Sequence, residues 1–102
     1  MTGYGAREKK GMKKRRGKMI IAELSIIPLG TKTTAVGKYV KAALKELEKQ
    51  SSIRAEPEAM GTIIEAENMR DLFKAVEKAH NSVFDLGVTR VVTEIRIDER
   101  RD

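Results

Sequence analysis

"IRAEPEAMGTIIEA", Ile53–Ala66, decides how this chain folds. It holds two short runs of β character, "IRAEP" and "MGTIIEA", separated only by Glu58-Ala59. Two strands that close in sequence form a hairpin. A hairpin in mid-chain needs neighbours to cover it, and both flanks supply a helix. On the N-terminal side, Val36, Tyr39, Val40, Ala43, Leu44 and Leu47 recur at intervals of three and four. That spacing lines one helical face, while Lys38, Lys41, Lys45, Glu48 and Lys49 stay in water. Thr33 or Thr34 is the expected N-cap, and Ser51-Ser52 breaks the pattern. On the C-terminal side, "NMRDLFKAVEKAHNSVFDLG" (Asn68–Gly87) reads as a second helix, with Asn68 as N-cap and Gly87 as the stop. Its apolar face is expected to be Met69, Leu72, Phe73, Val76, Ala79 and Val83.

Farther out lie two more strands. "MIIAELSII" (Met19–Ile27) is apolar on both faces and rich in β-branched residues, as a central strand is, with Pro28 and Gly30 ending it. "VTRVVTEIRID" (Val88–Asp98) alternates over its second half and would extend about 36 Å at ~3.3 Å per residue. The order is βαββαβ. Two right-handed crossovers then place both helices on one face of a four-stranded antiparallel sheet, an α+β fold of ferredoxin-like type. The other face would carry Ile21 and Ile27 beside Glu23 and Ser25. It is too apolar to leave wet and too polar for an ordinary core, so self-association through it is expected. The last strand is long enough to overhang and pair with a neighbouring subunit.

Length and composition bound the rest. At 102 residues the chain is one domain, and it would bury only about 60% of its unfolded surface alone, which also favours a homo-oligomer. It has no cysteine, so disulfides and thiolate metal sites are excluded. No apolar run approaches the ~20 residues of a membrane span, and Met1–Lys18 lacks the apolar region of a signal peptide, so a cytoplasmic protein that does not enter membranes is expected.

The net charge of +6 is localised. Residues 1–18 hold eight basic residues and one acid, for +7, leaving 13 basic and 14 acidic residues, or −1, in the body. Two segments follow: a basic arm over 1–18, flexible or the product of an upstream start, and a folded domain over 19–102. The arm is either a solvated tail or a nucleic-acid-binding extension.

"SIIPLGTKTT" (Ser25–Thr34) imitates a phosphate loop without being one. A Walker loop needs glycine, four residues and then Gly-Lys-Ser/Thr; the first glycine is missing, and Pro28 removes an N–H donor. What remains is a capped turn, or a helix start with Thr31, Thr33 and Thr34 hydroxyls able to meet a polar ligand.

Four segments, "AELSIIPLGT", "YVKAALKELEK", "MGTIIEAE" and "EKAHNSVFDLGVTRVVTEIRIDERRD", closely resemble the small thiamine-binding proteins, in the right order and spacing, from Met19 to Asp102. The resemblance implies ferredoxin-like subunits assembled as a dimer of dimers, a homotetramer, that bind thiamine or its hydroxymethylpyrimidine half without reacting it. Such a ligand calls for acceptors for the exocyclic amine, an apolar wall and a carboxylate near the thiazolium cation. The expected partners are Ser25 and Thr62 as hydrogen-bonding groups and Glu65 as the carboxylate. Met60, Val36 and Tyr39 would form the wall, with Thr31 and Thr34 on the junction loop. Each has a plainer alternative: Tyr39 as core or interface filler, Glu65 as a salt-bridge partner of Arg96.

His80 stands alone, without a second histidine or a cysteine to complete a zinc site, and reads as a hydrogen-bonded helix residue. Glu94, Asp98 and Glu99 interleaved with Arg90, Arg96, Arg100 and Arg101 read as ion pairs around a subunit contact. No nucleophile–base arrangement is visible, so a non-enzymatic binder for storage or sensing is expected, with no cofactor or metal. The competing reading is a nucleic-acid-binding oligomer. RNA-recognition modules share this element order but stack bases on sheet aromatics, which these strands lack, so nucleic acid would depend on the arm.

Overall fold

The computed structural model describes residues 20–31 and 37–101. Within them the order is β1 (Ile20–Leu29), α1 (Gly37–Glu48), β2 (Ile53–Glu58), β3 (Gly61–Ala66), α2 (Met69–Phe84) and β4 (Arg90–Glu99). The strands lie in the order β2-β3-β1-β4, each antiparallel to its neighbour, which is the ferredoxin-like arrangement. The expected N-caps Thr33 and Thr34, and the arm, lie outside the described residues.

Alternation along β1 divides the sheet into two faces. Ile20, Ala22 and Leu24 are buried beneath the helices, together with Ile64 and Ala66 of β3 and Ile53 of β2. The helices answer with Tyr39, Ala43 and Leu47 from α1 and Leu72, Ala75, Ala79 and Val83 from α2. Several of these are alanines, and small side chains at the contact let helix backbones come close to the sheet. On the opposite, open face lie Ile21, Glu23, Ser25 and Ile27 of β1. Beside them register places Ile63 and Glu65 of β3, and Val92, Glu94, Arg96 and Asp98 of β4. Ile27 is 44% exposed there. The mixed, half-apolar second face expected from the sequence is present.

The structure changes four local expectations. First, β1 does not end before Pro28, which pairs with Val91 while Leu29 pairs with Arg90. β3 stops alongside at Thr62, opposite Leu24, so beyond that point β1 has a partner on one side only. Proline is tolerated there because no strand on the other side needs its N–H. Second, the hairpin turns at Ala59-Met60, so Met60 belongs to the turn and not to β3. Third, Met69 and Phe73 are not in the core, being 37% and 47% exposed, and Ala75 is buried in their place. The helix is rotated so that its narrow alanine edge, not its bulkiest side chains, meets the sheet. Fourth, Val40 of α1 is 48% exposed, at the rim of a groove described below.

The ends of α2 follow the sequence. The Asn68 side chain accepts from the Asp71 N–H at 2.8 Å. Gly87, with φ 98°, carries the chain away in a conformation that disfavours other residues. No helix among the described residues is long and apolar enough to cross a membrane.

Candidate ligand-binding site

The difference in length between the two pairings of β1 creates the site. β1 stays paired with β4 through Leu29, but β3 leaves it at Thr62. The β2–β3 turn therefore stands beside the unpaired flank of β1, and α1 closes the helix side. A groove of about 240 Å³ results, walled by Leu24, Ile26, Val40, Ala43, Leu47 and Pro57, with Ser25, Glu58, Ala59, Met60, Gly61 and Thr62 around it. On the open face a second, larger depression of about 750 Å³ is bordered by Glu23, Ser25, Met60, Glu94, Ile95 and Arg96. Ser25 and Met60 border both.

Gly61 allows the turn to sit so near. A Cβ at this position would lie 2.9 Å from the Leu24 carbonyl oxygen, inside contact distance. The hairpin could then reach β1 only by moving the backbone.

Of the residues expected in the site, the structure brings Ser25, Met60 and Thr62 together at the groove. Ser25 and Thr62 approach it from different faces, since Thr62 pairs with Leu24 and shares its helix-side face, whereas Ser25 alternates onto the open face. Met60, 82% exposed on the turn, borders the groove. Thr31 is half-buried and has an interaction partner. Thr34 and Val36 lie outside the described residues.

Two residues go elsewhere. Tyr39 is 5% exposed and belongs to the core, with the Lys38 ammonium 5.2 Å from its ring centroid. Glu65 is at the far end of β3, opposite Arg54 of β2 and Ile21 of β1, away from both depressions. It accepts from Arg54 Nη1 at 3.4 Å. Its partner is thus Arg54 and not Arg96, because Arg96 stands opposite Glu23 on the other side of β1. Arg54 is only 8% exposed, and its Nη2 is buried without a hydrogen-bond partner among the described residues.

Sequence reading missed Glu58 and the apolar wall of Leu24, Ile26, Ala43, Leu47 and Pro57. Glu58 is the carboxylate that borders the groove. It ends β2 two residues before Met60, and its position depends on where the hairpin turns.

His80 has the plain role expected of it. Its Nδ1 lies 2.6 Å from the Thr93 hydroxyl oxygen of β4, and its ring meets Phe84 edge-on at 5.3 Å. Among the described residues no group of His, Asp or Glu side chains is arranged to hold a metal ion. In the charged C-terminal strand, Glu99 accepts from Arg101 at 3.1 Å, a contact that raises the arginine's already high pKa.

Fold and groove define a small ferredoxin-like α+β protein with a recess where a short hairpin leaves a long strand. A family model described as "Thiamine-binding protein" matches residues 22–102, and the chain belongs to that family. It is 48% identical over 84 residues to a UPF0045 protein of Methanothermobacter thermautotrophicus, covering 82% of this chain and 84% of that one. A UPF0045 protein of Bacillus subtilis is 42% identical over 87 residues, covering 82% and 83%. Among solved structures, a hypothetical protein of Methanocaldococcus jannaschii superposes with a TM-score of 0.74 at 42% identity, covering 82% of each chain. The nucleic-acid alternative depended on Met1–Lys18, which lie outside both the described residues and the family match.

Proposed function

We propose that the protein binds thiamine, or its hydroxymethylpyrimidine half, without reacting it, and serves storage or sensing of the vitamin. The observation that carries this reading is the coincidence of family membership with a recess that joins apolar walls to a few oxygen-bearing groups. In it the pyrimidine ring lies against Leu24, Ile26, Val40 and Leu47. Aliphatic walls suit a flat ring, and a small number of polar groups fixes its orientation. Thr62 supplies a hydroxyl to the ring's amine and nitrogens, and Ser25 marks the rim. Glu58 takes the carboxylate role near the thiazolium cation in place of Glu65, which Arg54 occupies. Met60 covers the ligand once it is seated, a role suited to a flexible thioether side chain.

Isothermal titration of the wild type, Thr62→Val and Glu58→Gln with thiamine and with hydroxymethylpyrimidine tests the reading. Thr62→Val should weaken both ligands about 10-fold, the loss of one hydrogen bond of ordinary strength. Glu58→Gln should weaken thiamine but spare the uncharged pyrimidine. Wild-type protein that takes up neither ligand would end this reading.

A further inference from the structure

The groove beneath α1 takes up one side of the sheet, and the depression on the open face has no part in it beyond the shared rim. Four side chains meet at that depression in a rectangle. Glu23 of β1 is directly opposite Arg96 of β4, and Ser25 is directly opposite Glu94. Alternation sends all four to the open face, and the two pairs stand two residues apart, about 6.6 Å along the strands at ~3.3 Å per residue. Directly opposed side chains lie about 4.5–5.5 Å apart, a spacing that suits an ion pair between Glu23 and Arg96. Such a pair does close elsewhere on the same face, where Arg54 donates to Glu65 across β2 and β3. Here none closes: Glu23, Glu94 and Arg96 make no ion pair among the described residues.

We propose that the open-face depression is a second binding site, which takes a free basic amino acid such as lysine. The charges on its border select that class. Two carboxylates and one guanidinium call for a ligand with two cationic groups and one carboxylate. An acidic amino acid would set its second carboxylate against Glu23 and Glu94, and a neutral one would leave a glutamate unanswered. Arg96 takes the α-carboxylate, in the forked contact that guanidinium groups make with carboxylates. Glu23, directly opposite, takes the α-ammonium. The side-chain ammonium reaches along the strands to Glu94, a step that a stem of four methylenes spans. Ser25 adds a hydroxyl at that end, and Met60 offers a pliable apolar surface to the stem. The volume of about 750 Å³ has room for such a molecule together with its water.

This site goes beyond the thiamine reading and does not require it. Its border is charged where the groove beneath α1 is aliphatic, and it is tested without thiamine.

Isothermal titration of the full chain compares lysine with two molecules that each lack one of its groups. Norleucine keeps the α-ammonium and carboxylate but has no second cation. Cadaverine, which is lysine without its carboxyl group, keeps both cations. Each should bind at least 10-fold more weakly than lysine, the loss of one charge-assisted hydrogen bond. Arg96→Gln should weaken lysine at least 10-fold without weakening cadaverine. Glu94→Gln should weaken lysine to the same extent and leave norleucine unchanged. Both side chains are exposed on β4, so neither change disturbs the core, and an unaltered melting temperature checks this. Lysine that fails to bind at millimolar concentration, binds no better than cadaverine, or binds both variants as it binds the wild type would overturn the proposal.

Discussion

The Arg54–Glu65 ion pair is largely withdrawn from water. Both side chains are nearly buried, at 9% and 13% exposure, on the sheet face that carries no helix. A buried pair adds little compared with two apolar residues, but removing one member strands a charge. Glu65→Ala should therefore destabilise the protein by about 3 kcal/mol, the lower end of what such losses cost because the contact is long, measured as a lower urea midpoint. It should leave thiamine affinity unchanged, since Glu65 borders neither depression. A loss of affinity at unchanged stability would return Glu65 to the site. Thr93→Val makes a smaller test. It removes the hydroxyl 2.6 Å from His80 and should cost about 1 kcal/mol.

At the scale of elements, hairpin geometry governs the groove. Gly61→Ala should push the Ala59-Met60 turn away from β1, at a cost of about 1–3 kcal/mol, and lower ligand affinity in parallel. The two effects together are diagnostic, because Gly61 supplies no ligand contact of its own beyond the backbone. Chain order was legible from periodicity: all four strands and both helices occur where spacing predicts them, and Asn68 caps α2 as expected. The expected grouping of site residues was not, and the reason is register. Thr62 and Glu65 are three apart on one strand, so alternation alone sends them to opposite faces, a signal that lay in the sequence. That Ser25 and Thr62 also fall on opposite faces depends on β1 pairing Leu24 with Thr62, and a slip of one residue would reverse it. Phe73 and Met69 show the same limit on α2. Their spacing fits the apolar face, but only the packed sheet determines which edge of a broad stripe turns inward.

For the whole molecule, ligand and association act on one folding equilibrium. Any species that binds only the folded chain stabilises it by mass action, about 2.7 kcal/mol for a ligand at 100 times its dissociation constant. Thiamine in that excess should raise the melting temperature by roughly 10–20 °C, since about 1 kcal/mol moves a domain of this size by about 4–8 °C. A 102-residue chain has a small core, so association of copies would add a second contribution. If copies associate, the melting temperature should also rise with protein concentration in the absence of ligand. The thiamine shift should persist in Glu94→Arg, because the groove is walled by α1, β1 and the hairpin and not by β4. Calorimetric scans at several protein concentrations, with and without thiamine, separate the two. A thiamine shift that disappears in Glu94→Arg would mean that the ligand sits in the depression on the open face, not beneath α1.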